Sequence, residues 1–123
     1  MGRTRVATIA TTLAGTSRAI HRAIRATDPA RAASLTQLRD TGWELTQLTA
    51  ELTDLVALLA DYTGRHTDQP ERVRRADGGP AGEDLAHASR HLTSLRRSLD
   101  IAHTEARDYY TALSHLNPAQ LPP

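Results

Sequence analysis

The chain has 123 residues, neither cysteine nor lysine, and a formal net charge of +1. Its length suits a single domain, and the missing cysteine excludes disulfides, thiol catalysis and any cysteine-bearing zinc site. Aromatic residues make up 3% of the sequence (Trp43, Tyr62, Tyr109 and Tyr110, with no Phe), so a core must be built of Leu, Ala, Ile and Val, which suit close helix–helix packing.

The charge is unevenly spread. Residues 1–27 carry five Arg and no acid, residues 28–66 carry six acids against three Arg, and residues 82–123 carry five acids against four. The basic character thus belongs to the first segment. No stretch approaches the roughly 18–20 apolar residues that span a membrane. Two Arg followed by Val6–Ala10 faintly resemble a signal peptide, but the segment is Thr-rich and Arg18 interrupts it. The expectation is a retained N-terminus and a cytoplasmic protein.

The first segment reads as a helix over about residues 4–26. Val6, Ile9, Leu13, Ile20 and Ile24 share a narrow arc, with Arg18, Arg22 and Arg25 opposite. Gly15 and many Thr lower its intrinsic propensity, so it is expected to depend on docking, and to lie along the rest of the molecule as a shorter third helix. Asp28-Pro29 punctuates the chain and suits the start of a second helix over 29–63, with Ser34 and Gln37 as a second start signal in capping-box spacing. In that helix Leu38, Leu45, Leu52 and Leu59 recur every seven residues, interleaved with Leu48, Leu55 and Tyr62 and a weak member, Thr41. Gly64 is placed to end it.

Residues 65–81 are charged and rich in Pro and Gly, the composition of a flexible loop. A third helix follows over 82–116, opening on Glu83 and Asp84, which suit its positive end. Leu85, Ala88, Leu92, Leu95, Leu99, Ala102, Ala106, Tyr109, Leu113 and Leu116 alternate in steps of three and four. Asn117-Pro118 begins an extended tail over 117–123. The second and third helices would each span about 50 Å. Equal lengths, matching seams and one connecting loop predict an all-α antiparallel helical hairpin with a shorter N-terminal helix, as a three-helix bundle or a dimeric helical bundle.

Candidate sites are few. Arg18, Arg22 and Arg25 form a basic face that could meet phosphates of nucleic acid, although no aromatic residue is interleaved and no helix-turn-helix follows. His87 and His91 share a helix face behind Glu83 and Asp84, and the end of the second helix brings Asp61 and His66 towards them. That is a weak metal candidate, because the matched carboxylate and histidine sets of di-iron bundles are missing. No cofactor is expected, and nothing in the sequence points to an enzyme. Trp43 falls off the leucine seam, on the side of Asp54 and Asp61, with Leu58 near that side and Tyr110 just off the third seam. A large apolar residue there needs a cover, from the first helix or from another subunit.

Size and aliphatic seams resemble the small helical-hairpin substrates of type VII secretion. The resemblance would imply a secreted hairpin with Trp-x-Gly in its turn. Here Gly42-Trp43 falls inside a predicted helix, and Asp108-x-x-Thr111-x-x-x-His115 matches the export-type pattern only loosely. The expected function is therefore a non-catalytic helical interaction protein acting through homo-oligomerisation or a helical partner, with Trp43, Leu58 and Tyr110 as contact residues. A nucleic-acid-associated regulator using the basic helix is the alternative.

Overall fold

Three helices account for most of residues 8–119, the part of the chain that the computed structural model describes. The chain divides into two units, one ending at Ala33 and the other beginning at Ser34. The first unit contains α1, Ile9–Ala26, none of whose residues is buried. Thr8 caps it, its hydroxyl accepting from the Thr11 amide at 3.1 Å. The expected first turn, including Val6, lies outside the described residues.

Asp28-Pro29 does not open a helix. The Asp28 carboxylate accepts from the Ala30 amide at 2.9 Å and its carbonyl from the Arg31 amide at 3.1 Å, which makes an isolated turn. The second helix, α2, is Leu35–Asp68. Its start is set by a complete capping box, in which Ser34 Oγ accepts from the Gln37 amide at 3.1 Å and Gln37 Oε1 accepts from the Ser34 amide at 2.9 Å. Two orphan amides satisfied reciprocally outweigh the single cap that Asp28 could supply. The helix also outruns Gly64, which keeps a helical backbone, and stops just before Pro70.

The connection is more ordered than its composition suggests. Pro70–Arg72 form a short 3-10 turn, and Arg74 and Pro80 then pair as an antiparallel bridge. Between them the Arg75 amide donates to Gly79 O and the Gly78 amide to Arg75 O, both at 2.9 Å, while Asp77 Oδ1 accepts from the Gly79 amide. Gly78 turns the chain at φ 86°, a conformation that side chains with a Cβ rarely adopt. The third helix, α3, is Gly82–Ser114, two residues shorter at its end than expected.

The α2 and α3 helices pack extensively against each other as an all-α antiparallel hairpin. On α2 Gly42, Thr46 and Val56 are buried, and Leu35, Arg39, Thr49, Thr53 and Thr63 are half-buried along the same stripe. The predicted leucine seam is half met: Leu48, Leu52, Leu55 and Leu59 are half-buried too, but Leu38, Leu45 and Tyr62 are exposed, so the line of closest contact lies one stripe to the side. The physical reason is closeness. A Cβ on Gly42 would sit 3.1 Å from the Tyr109 ring, so the helices approach to within what a hydrogen side chain allows. The threonines fit because their hydroxyls are satisfied inside α2: Thr46 donates to Gly42 O, Thr49 to Leu45 O and Thr53 to Thr49 O, each at 2.9 Å. Their methyl groups remain for α3, much as valine would present them. Val56, 5% exposed, is the best-buried side chain of α2.

On α3 the prediction holds for Leu85, Leu92, Leu99, Ala102, Ala106 and Leu113, which are withdrawn from solvent. It fails for Ala88, Leu95 and Leu116, which stay exposed; Tyr109 sets its ring against Gly42 yet remains 42% exposed, and Ser89, His103 and Tyr110 turn inward. His103 Nδ1 lies 3.1 Å from Thr46 O and 3.2 Å from Thr49 Oγ1, bridging the helices midway. At the end remote from the loop, Arg39 Nη2 donates to Leu116 O at 2.8 Å and satisfies a carbonyl beyond the last turn of α3.

Two glycines of α2 should respond oppositely to substitution. Gly42→Leu forces the Tyr109 contact apart and should cost about 1–3 kcal/mol. At Gly64 a Cβ meets nothing within 4 Å, so Gly64→Ala should stabilise by about 0.5–1 kcal/mol through helix propensity. Denaturant unfolding of both variants measures this, and a destabilised Gly64→Ala contradicts the continuation of α2 through that residue.

Candidate functional site

The stripe that serves as the interface decides where the leucines go. With Gly42, Thr49 and Val56 facing α3, the series Leu38, Leu45, Leu52 and Leu59 falls on one side of α2, followed by Leu48, Leu55 and Tyr62. On α3 the series Leu95, Tyr109 and Leu116 turns to that same side, whereas Tyr110 turns to the other, where it meets Trp43. One long side of the hairpin is therefore apolar. Leu38, Leu45, Tyr62, Leu95, Tyr109 and Leu116 are between 38% and 50% exposed. Scattered exposed leucines are ordinary, but an aligned series along two helices is not.

The opposite side carries the aromatic residues that the sequence singled out. The rings of Trp43 and Tyr110 lie 5.3 Å apart and tilted by 58°, a favourable edge-on geometry. Trp43 remains 47% exposed, so Tyr110 supplies part of its cover. Arg39, Asp40 and Glu44 complete a shallow groove around the pair. Leu58, also exposed, lies fifteen positions further along α2, about 22 Å away. The structure thus joins Trp43 to Tyr110 and leaves Leu58 apart.

The remaining candidates stay separate. Arg18, Arg22 and Arg25 are all exposed along α1, opposite Ile9, Leu13, Ile20 and Ile24. They can meet phosphates by charge, but they bring no means of reading a base. The His87 and His91 rings stack at 6.3 Å between centroids. Asp84 turns instead towards Arg75 of the loop, at 3.6 Å, and both side chains are more than half solvent-exposed or close to it. Among the described residues no group of three His, Asp or Glu side chains is placed to hold a metal ion, and no helix is long and apolar enough to cross a membrane.

Sequence reasoning missed the Gly42–Thr46–Thr49–Thr53–Val56 stripe and with it the orientation of the apolar side. The signal was present, since these residues keep the same heptad spacing as the leucines. Removing Tyr110 tests the aromatic pair. Tyr110→Ala should cost about 1 kcal/mol beyond lost area and shift the emission of Trp43, the sole tryptophan, to longer wavelength. An unchanged spectrum contradicts the contact. The chain matches no known family model, and comparison with curated proteins and with solved structures gives no match.

Proposed function

We propose that this chain is a non-catalytic helical assembly protein that works by docking its leucine-rich side onto another helical surface. The observation that carries the reading is the alignment of Leu38, Leu45, Tyr62, Leu95, Tyr109 and Leu116 on one side of the hairpin, each substantially exposed. Burial of apolar area is the main driving force for association, and covering the exposed half of one leucine contributes on the order of 1 kcal/mol. Six such residues, with the half-buried Leu48, Leu52, Leu55 and Leu59 behind them, give a helical partner a continuous strip of about 36 Å from Leu38 to Tyr62.

The interior supports the same reading. Among the described residues only Val56 and Ala81 are buried apolar side chains, because two helices can shield each other along one line only. Hairpins of this kind commonly complete a four-helix arrangement by pairing. The Trp43–Tyr110 groove is a second, smaller surface for the same purpose, and the cytoplasm is the expected compartment.

The double variant Leu45→Glu/Leu95→Glu places charge in the middle of the strip at two positions that face solvent already. Wild-type protein should self-associate or bind an apolar fluorescent dye, and the variant should keep its helical circular dichroism while losing whichever of these the wild type shows. A folded variant that retains both removes the strip from the function.

A further inference from the structure

We infer that α1 is a membrane-surface helix that lies flat among the headgroups of an anionic lipid bilayer. The inference goes beyond the docking surface of the hairpin and concerns the first unit alone. What carries it is the arrangement of charge and apolar side chains on the two faces of α1.

At about 100° per residue, Ile9, Leu13, Ile20 and Ile24 fall within an arc of roughly 60°. Arg18, Arg22 and Arg25 fall within an arc of similar width, almost directly opposite. All seven side chains are exposed. The helix contains no acid, and residues 1–27 hold five Arg without an Asp or Glu. Its positive charge is therefore not neutralised along its own length, and its complement is an anionic surface. Thr11, Thr12, Gly15 and Thr16 weaken the helix in water, so it gains from a surface that shelters its apolar face.

The opposition of the two faces identifies that surface. A protein partner lies against one face of a helix. Seated on the apolar face it leaves the arginines turned away, and seated on the arginines it leaves four large apolar side chains wet. A nucleic acid repeats the second arrangement, since phosphates take up the arginines and offer nothing to isoleucine and leucine. A bilayer interface accepts both faces at once. An α-helix is about 10–12 Å across, and the apolar face of an interfacial helix sinks about 5–10 Å towards the acyl chains. The opposite face then stands at the level of the headgroups, where flexible arginine stems carry their guanidinium groups to the phosphates. Four large apolar side chains over about 22 Å suit lying on a bilayer, and no helix among the described residues is long and apolar enough to cross one.

Co-sedimentation of the full chain with lipid vesicles tests the assignment. Vesicles of phosphatidylcholine with about one-third phosphatidylserine should carry the chain down, pure phosphatidylcholine should not, and added salt should release it. Arg18→Gln/Arg22→Gln/Arg25→Gln should weaken binding about a hundredfold, and Leu13→Gln/Ile20→Gln about tenfold or more. Glutamine keeps the helix propensity in both. Leu45→Gln/Leu95→Gln, which blunts the apolar side of the hairpin without adding charge, should bind as wild type does. Equal binding to pure phosphatidylcholine overturns the assignment. So does binding that is lost in Leu45→Gln/Leu95→Gln and kept in Leu13→Gln/Ile20→Gln, because the hairpin is then the lipid-binding surface. A chain that ignores both vesicles overturns it as well, and duplex DNA bound by that chain, with the arginines required and Leu13 and Ile20 not, returns the basic face to nucleic acid. Self-association and dye binding of the hairpin are read separately, so a failure of α1 to meet lipid leaves the docking surface standing.

Discussion

Two helices can hide only what lies between them, and this limit governs the hairpin. Beyond Leu35 and Arg39 at its open end, the contact line of α2 is occupied by glycine, threonine and a single valine because a narrow line is most effectively filled by small and branched side chains at short range. Gly42 lets the Tyr109 ring rest almost on the backbone, and Thr46, Thr49 and Thr53 satisfy their hydroxyls on carbonyls of their own helix. The helices gain dispersion contacts through close approach while the threonine hydroxyls stay hydrogen-bonded; the Arg39 Nε, buried without a partner, is the one unpaired side-chain polar atom among the described residues. His103, by contrast, is tied to both Thr46 and Thr49.

The same economy displaces the larger side chains. Leucines that would fill the centre of a broader bundle are set to one side, where the hairpin has nothing further to cover them. The sequence invests in two adjacent stripes of equal period, one small and close-packed, one large and half-exposed. A hairpin needing only its own stability would have little use for the second.

The hairpin was legible in the sequence because heptads over two long segments and a Pro/Gly-rich connection admit few other arrangements. The phase of the interface was not. Leu38–Leu59 and Gly42–Val56 repeat identically, and hydrophobicity ranks the wrong one first whenever closeness matters more than bulk. The start of α2 was obscured by two competing signals. Asp28-Pro29 looked adequate alone, and only the reciprocal bonds of Ser34 and Gln37 show which prevails. The ordered turn at 74–80 escaped notice because a Pro/Gly-rich stretch of mixed charge reads as loose, although Asp77 and Gly78 are the residues such a turn requires. Trp43 and Tyr110 were each recognised as off-seam. Their pairing depended on a register that spacing alone could not supply.

The clasp between Arg39 and the Leu116 carbonyl joins residues 77 positions apart in the chain, while the turn at 74–80 holds the other end by contacts of a few residues. Closure is entropically easy near the turn and hardest at the clasp. The hairpin therefore behaves as a zipper whose fastened end is the loop and whose last teeth are Arg39, Trp43 and Tyr110. Because the only indole stands among those last teeth, on the side away from the leucines, its fluorescence is an internal gauge of fraying, sensitive to the parting of the helices and largely blind to what occupies the apolar side.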